Sequence, residues 1–203
     1  MELLLPVTLD EVAAVWLSAE IHSNRFGATV DSMLQRDGLP AALLTNPDLT
    51  DERANAARLG LLREYRGFDQ ADTSLETYIG GLPVRDLDWW RVRITAADVA
   101  RLHYINWGYW VEVTGGTRLP ATFASAKPAE PEEIEVVYFP LRDAFVAGAE
   151  VPEIILVDSG PDTRIVILEG HVRATAMAMA SADLKERTAL LGRSHVVAEQ
   201  WFY

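Results

Sequence analysis

The sequence predicts an α+β fold: a mixed sheet with flanking helices over residues 83–203, preceded by a helical N-terminal region over residues 1–82. Three observations predict it. The first third sets apolar residues at helical spacing behind helix-start signals. The remainder alternates short β-branched runs with short helical stretches. Finally, Ile165 to Ala180 reads as strand, sharp turn and helix, with polar groups only at the turn.

Taken in order, Thr8-Leu9-Asp10-Glu11 fits a capping box, and Val12, Val15, Trp16 and Ile21 follow at helical spacing, so a helix is expected from about residue 9 to 22. A second should cover Gly27 to Arg36 and stop at Asp37-Gly38. After the Asn46-Pro47 turn, Thr50 can cap a third helix through Tyr65 that ends at Gly67. Phe68 to Pro83 is polar and contains Gly80-Gly81, which marks it as a boundary or long surface loop. Asp88 to Ile94 reads as a strand, and Thr95 to Asp98 opens a helix to about His103.

Tyr104 to Trp110 is the most aromatic passage, and core packing is the expected use of Trp107 and Trp110. The Gly115-Gly116-Thr117-Arg118 turn permits close backbone approach, and Arg118 can bind a carboxylate or phosphate. Phe123 to Glu133, rich in Ala, Pro and Glu, reads as an exposed, mobile loop or lid. Strands are expected at Ile134 to Phe139 and Glu153 to Val157, with a short helix from Pro140 to Ala147 that ends at Gly148. Ser159 to Asp162 is a turn, which pairs Ile154 to Leu168 as a hairpin. The helix after Gly170 should end near Ala182, and a last strand should run from His195 to Phe202.

The chemistry concentrates at the turn before that helix. Gly170 can take a backbone conformation closed to other residues. A helix beginning there presents unpaired N–H groups and the positive end of its dipole, a setting for an anion, and His171 and Arg173 add hydrogen bonds and charge. The alternative is an ordinary strand-to-helix connection with Arg173 solvated. Glu169-Gly170-His171-Val172-Arg173-Ala174, placed after an apolar strand and before an Ala-rich helix, resembles the Gly-His-x-Arg-type signature of the ParB/sulfiredoxin superfamily. That superfamily holds nucleotide phosphates on this turn. It includes partition proteins, sulfiredoxin and free-serine kinases, whose Asp-Gly-His-His-Arg-type motif is the closest in form. The motif match is short, although a ParB-like order of elements can be followed from roughly Pro83 to Tyr203.

The resemblance implies a ParB/sulfiredoxin-like mixed sheet and a nucleotide-dependent phosphotransferase acting on a small hydroxylated metabolite, with ATP or another nucleoside triphosphate and Mg²⁺ as cofactors. Gly170, His171, Arg173 and Arg118 would hold the nucleotide, and Glu169 and His171 would take the catalytic roles. A carboxylate beside a polyphosphate is repelled unless a cation lies between, so Glu169 would help bind Mg²⁺ through water or act as a base. Glu112 and Asp98 are further candidates for the catalytic carboxylate by location only, and Arg25, Arg63 and Arg66 are cations that could reach a ligand from the first third. Two other functions remain open: a non-catalytic nucleotide-sensing or partner-binding module, and a DNA-binding or nuclease protein.

Composition narrows these. The net charge is −12, and no basic run offsets it, which disfavours nucleic acid and favours a small substrate. Too few residues follow Arg173 for the helical DNA-binding domain of partition proteins. The absence of cysteine excludes disulfides, thiolate metal sites and sulfiredoxin chemistry. The four His are well spaced, without a His-x-x-x-His pairing, so no metal site is expected from the sequence. There is no nucleophile elbow or Walker-type loop. Met-Glu-Leu-Leu-Leu-Pro lacks the features of a signal peptide, and a cytoplasmic protein with no membrane partner is expected.

Overall fold

The structure, a computed structural model, describes residues 1–69, 79–125 and 134–203. It is a mixed α/β fold, α+β in class, built on a six-stranded mixed sheet with flanking helices. The chain divides into two compact units, Val7–Leu87 and a second made of Met1–Pro6 with Asp88–Tyr203. Met1–Pro6 thus stands with the sheet rather than with the helices that follow it.

In the helical unit, α1 (Leu9–Ile21) starts at Thr8, whose hydroxyl accepts from the Glu11 N–H at 3.2 Å. It buries Val12, Ala13, Trp16 and Leu17, and packs against α2 (Gly27–Arg36), α3 (Ala42–Thr45) and α4 (Glu52–Arg66). Helix α4 is capped by Asp51 rather than Thr50, because the Asp51 carboxylate accepts from the N–H groups of Arg53 and Ala54 while Thr50 is turned back onto Asp48. It stops at Gly67, whose φ of 74° no L side chain adopts cheaply. Ion pairs tie this unit, among them Arg66 to the buried Glu20 at 2.6 Å and Asp69 to both Arg63 and Arg85 at 2.7 Å. The boundary loop expected over Phe68 to Pro83 lies partly outside the described residues, at 70–78.

The sheet comprises β1 (Glu2–Pro6), β2 (Asp88–Ile94), β3 (Leu102–His103), β4 (Ile154–Asp158), β5 (Ile165–Glu169) and β6 (Arg187–Arg193). Its order is β1-β2-β6-β4-β5-β3. β6 pairs parallel with β4 and antiparallel with β2, and β4 and β5 form the expected antiparallel hairpin. The central strands are apolar on both faces: Ile154 to Val157, Val166 to Leu168 and Ala189 to Leu191 are all buried. Around them lie α5 (Ala96–Val99), α6 (Gly108–Val113), α7 (Pro120–Ser125), α8 (Phe139–Ala147) and α9 (His171–Met179). α9 packs against α7 and α8.

Three expectations are corrected. The helix from Thr95 ends at Val99, and Leu102–His103 instead pairs parallel with β5, whose edge needs a partner. Ile134–Tyr138 is a helical turn with i+5 hydrogen bonding that runs into α8, not a strand; helical spacing brings Tyr138 against Phe123, with ring centroids 5.6 Å apart, and leaves Val136 exposed. The last strand is Arg187–Arg193, while His195–Glu199 is a 3₁₀ turn. Its polar ends disguise β6 in the sequence, yet it lies between β2 and β4 with both edges paired. The expected lid lies outside the described residues at 126–133, and its start, through Ser125, is helix α7 with Phe123 buried.

Candidate functional site

β5 delivers Glu169 to the sheet end, and the chain reverses at Gly170, where φ is 92°. A left-handed conformation alone favours glycine there. Close packing adds a second reason, since a Cβ on Gly170 would lie 2.6 Å from the Ile154 Cγ2 of the neighbouring strand. α9 begins at the next residue, and no side chain caps its first turn. Its Ala and Met content carries the helix onward, and Arg173 to Met177 are buried.

Arg173 points back along the helix and joins three segments. Its NH1 donates to the Glu153 backbone oxygen at 2.9 Å, just before β4 begins, and its NH2 pairs with the Glu169 carboxylate at the end of β5. The side chain is largely buried, so this guanidinium knits strand, turn and helix together. Glu169 is consequently engaged with a cation one helical turn away.

His171 occupies the first position of α9 and enters an aromatic stack. Its ring lies 5.4 Å from Trp110 at an interplanar angle of 7°, and 5.8 Å from Tyr104 at 21°. Tyr104 and Trp110 stack at 4.0 Å, and Phe123 meets both edge-on. The Tyr104 hydroxyl bonds the Thr175 hydroxyl, which donates to the His171 backbone oxygen at 2.8 Å. Burial pushes the Tyr104 phenol far above its ordinary pKa, so it stays protonated. Trp110 is therefore core, as expected, whereas Trp107 is half exposed and tilts against Tyr109.

Glu169, Gly170, His171 and Arg173 thus meet at one turn, and Arg118 is directed elsewhere. Arg118, in the left-handed turn after α6 with φ 56°, is buried, and its NH2 donates to the Tyr203 backbone oxygen at 2.6 Å. Arg164 NH1 donates to the same oxygen at 2.8 Å. Asp98 is no free base: it closes the capping box of α5 and pairs with the Met1 amino group at 2.6 Å. Burial alone would raise its carboxyl, yet those partners hold it below its usual range. Glu112 is exposed on α6. In the helical unit Arg66 lies over Tyr65 and Phe26, and Arg25 over Phe26, each within 4.7 Å of a ring centre. Sequence reasoning missed Glu153, Tyr104, His103 and Arg164 as neighbours of these groups. Only position beside an apolar strand could have marked them.

The His103 imidazole is pushed below its ordinary pKa of 6.5 by burial first, then by Arg164 and, to a lesser extent, Arg118, with the backbone of Arg101 and Ile165 opposing. A group with a depressed folded pKa binds fewer protons folded than unfolded just below 6.5. Its neutral state therefore contributes stability that is fully present above about pH 6.5 and lost as pH falls toward the folded value. The expected result is a lower unfolding midpoint at pH 5.5 than at pH 7.5, with part of that difference removed in His103→Gln. Equal differences in the two proteins would refute the assignment.

Among the described residues no cluster of three or more His, Asp or Glu is placed to hold a metal ion, and no helix is long and apolar enough to cross a membrane. No protein family, curated protein or solved structure matches the chain.

Proposed function

We propose that the Glu169–Arg173 turn binds the phosphates of a nucleoside triphosphate, and that the chain is a ParB/sulfiredoxin-like phosphotransferase acting on a small hydroxylated metabolite in the cytoplasm. The observation that carries the reading is the first turn of α9, which starts from a left-handed glycine, has no side-chain cap and has an arginine one turn along. Backbone N–H groups there suit an anion. The net charge of −12 supports a small substrate rather than a nucleic acid.

The residues present fit such a ligand on one condition. Arg173 must exchange the Glu169 carboxylate for a phosphate oxygen, which an arginine binds through paired donors. Glu169 then stands beside the phosphates, where a carboxylate is tolerated only across a cation, and Mg²⁺ is commonly held by one or two carboxylates together with the phosphates. Bound there, the nucleotide and Mg²⁺ supply the transferable phosphoryl group and offset its charge. The chain's own part is to orient: α9 N–H groups and Arg173 hold the phosphates, and the stack behind His171 keeps the turn rigid.

One observation favours the second reading, binding without turnover: the carboxylate at the turn is already paired with Arg173, and a carboxylate in that state is a poor base. The test is thermal unfolding with ATP, CTP and GTP, with and without Mg²⁺, for the wild type and Arg173→Ala. A nucleotide at about 100 times its Kd adds roughly 2.7 kcal/mol. The variant is expected to be less stable without ligand and to lose the ligand increment, which is the informative quantity. If no nucleotide stabilises the wild type, the proposal fails. If one does but stays intact with hydroxylated metabolites present, the non-catalytic reading replaces the kinase.

A further inference from the structure

The aromatic stack behind His171 does not end in the core. Trp110, whose ring lies 5.4 Å from His171, meets Tyr109 edge-on at 4.9 Å, and Tyr109 in turn meets Trp107 at 6.2 Å and an interplanar angle of 50°. Exposure rises along this series, from 7% at Trp110 to 44% at Tyr109 and 49% at Trp107. The 5.4 and 4.9 Å contacts together place the Tyr109 ring within about 10 Å of His171. A Trp and a Tyr side by side in water forgo the burial for which such large rings are ordinarily used. Exposed apolar side chains scattered singly are ordinary, whereas contiguous ones mark a surface that something covers. Gly108 lies between the two in α6, and outside its own helix and its two neighbours nothing comes within 4 Å of a Cβ built on it. The space beside the rings is therefore open.

We propose that Trp107 and Tyr109 form a base subsite, on which the purine ring of a nucleotide stacks while its phosphates lie at the first turn of α9. The inference rests on the nucleotide reading of that turn and adds to it which nucleotides are taken. The ribose and phosphate chain bridges the distance from the Tyr109 ring to His171. Trp110 and Tyr104 are stacked on one another at 4.0 Å and buried, so Tyr109 and Trp107 are the rings of this group that a base can reach. Stacking reads π area rather than a pattern of donors and acceptors. Two fused rings cover more of an indole and a phenol than one ring does, so purine nucleotides are held more tightly than pyrimidine nucleotides. A nucleobase is uncharged, and the net charge of −12 does not oppose its approach.

The experiment is calorimetric titration of the whole chain with Mg²⁺ at constant ionic strength, using ATP, CTP, adenosine and tripolyphosphate as separate probes. Adenosine reports the rings and tripolyphosphate reports the turn. Wild type, Trp107→Ala, Trp107→Phe and Tyr109→Ala are compared. Trp107 is half exposed, so its replacement leaves the core intact, and an unchanged ligand-free unfolding midpoint confirms this. ATP is expected to bind the wild type more tightly than CTP or tripolyphosphate. Its affinity should fall about tenfold in Trp107→Ala and in Tyr109→Ala and recover in part in Trp107→Phe, while tripolyphosphate binds all four proteins alike. If ATP binds but both alanine variants hold it as the wild type does, or if ATP binds no more tightly than tripolyphosphate, the base subsite is overturned and the turn reading survives. If adenosine binds, Trp107→Ala weakens it, and the phosphates of ATP add nothing, the rings keep their role and the turn reading fails. Absence of binding by both ATP and adenosine in the wild type overturns the two together.

Discussion

Replacing Gly170 with alanine should destabilise the sheet unit by about 2–5 kcal/mol. About 1–2 kcal/mol comes from forcing an L residue into the left-handed region, and about 1–3 kcal/mol from overpacking. The overpacking is specific: the new Cβ would stand 2.6 Å from Ile154 Cγ2 and 3.1 Å from Ile154 Cβ, on a strand whose Ile154 is fully buried. It would also come within 3.2 Å of Arg173 NH2 and press on the ion pair with Glu169. Gly38 is the internal control, since its φ is 64° but nothing lies within 4 Å of its Cβ position. Gly38→Ala should therefore cost only the backbone part, about 1–2 kcal/mol. Urea unfolding of both variants decides the matter. Similar losses would mean that close approach to β4 contributes nothing. In a double-mutant cycle, Ile154→Ala should relieve part of the Gly170→Ala cost, giving a coupling of about 1 kcal/mol or more.

Arg58→Leu is expected to cost the helical unit about 3–5 kcal/mol, a loss typical of breaking a buried charged network. Arg58 is fully buried in α4. Its NH1 donates to the Leu43 backbone oxygen at 3.0 Å, and its NH2 donates to the Asp48 backbone oxygen at 2.8 Å and to the Asn55 side-chain oxygen. Asn55 in turn donates to the Leu49 backbone oxygen at 2.9 Å. One planar fork thus satisfies the end of α3 and the loop that leads to α4. Leucine fills much of the volume but leaves three acceptors without a donor, and each buried orphan costs about 1–3 kcal/mol. Arg58→Lys should recover only part, because an ammonium lacks the fork that spans both carbonyls. Chemical denaturation followed by the fluorescence of Trp16, which lies in this unit, measures the effect. A loss under about 1 kcal/mol would show that water replaces the guanidinium.

Much of the fold was legible because its signals are local. Gly67 and Gly148 end helices by the left-handed conformation that their sequence context implies. The β4–β5 hairpin follows from two buried apolar runs around a Gly-Pro-Asp turn, and Gly170 follows from strand, glycine and an Ala-rich helix in succession. The misread elements share a different cause. Ile134–Tyr138 has the β-branched composition of a strand but pairs with no described strand, and as a helical turn it sets Tyr138 against Phe123. Leu102–His103 is too short to announce itself and becomes a strand only because β5 pairs with it.

The sequence by itself determined the class, the caps, the hairpin and the contiguous turn from Glu169 to Arg173, because each depends on backbone preferences and side chains within a few residues of one another. Only the tertiary structure decided what the charges do. Arg173 is tied to Glu153 across 20 positions, and Arg118 is joined with Arg164 on an oxygen 85 positions away. A guanidinium looks the same in sequence whether it is solvated, structural or waiting for a ligand. Its partners depend on which strands become neighbours, and that is settled by burying the apolar faces of β4, β5 and β6 together.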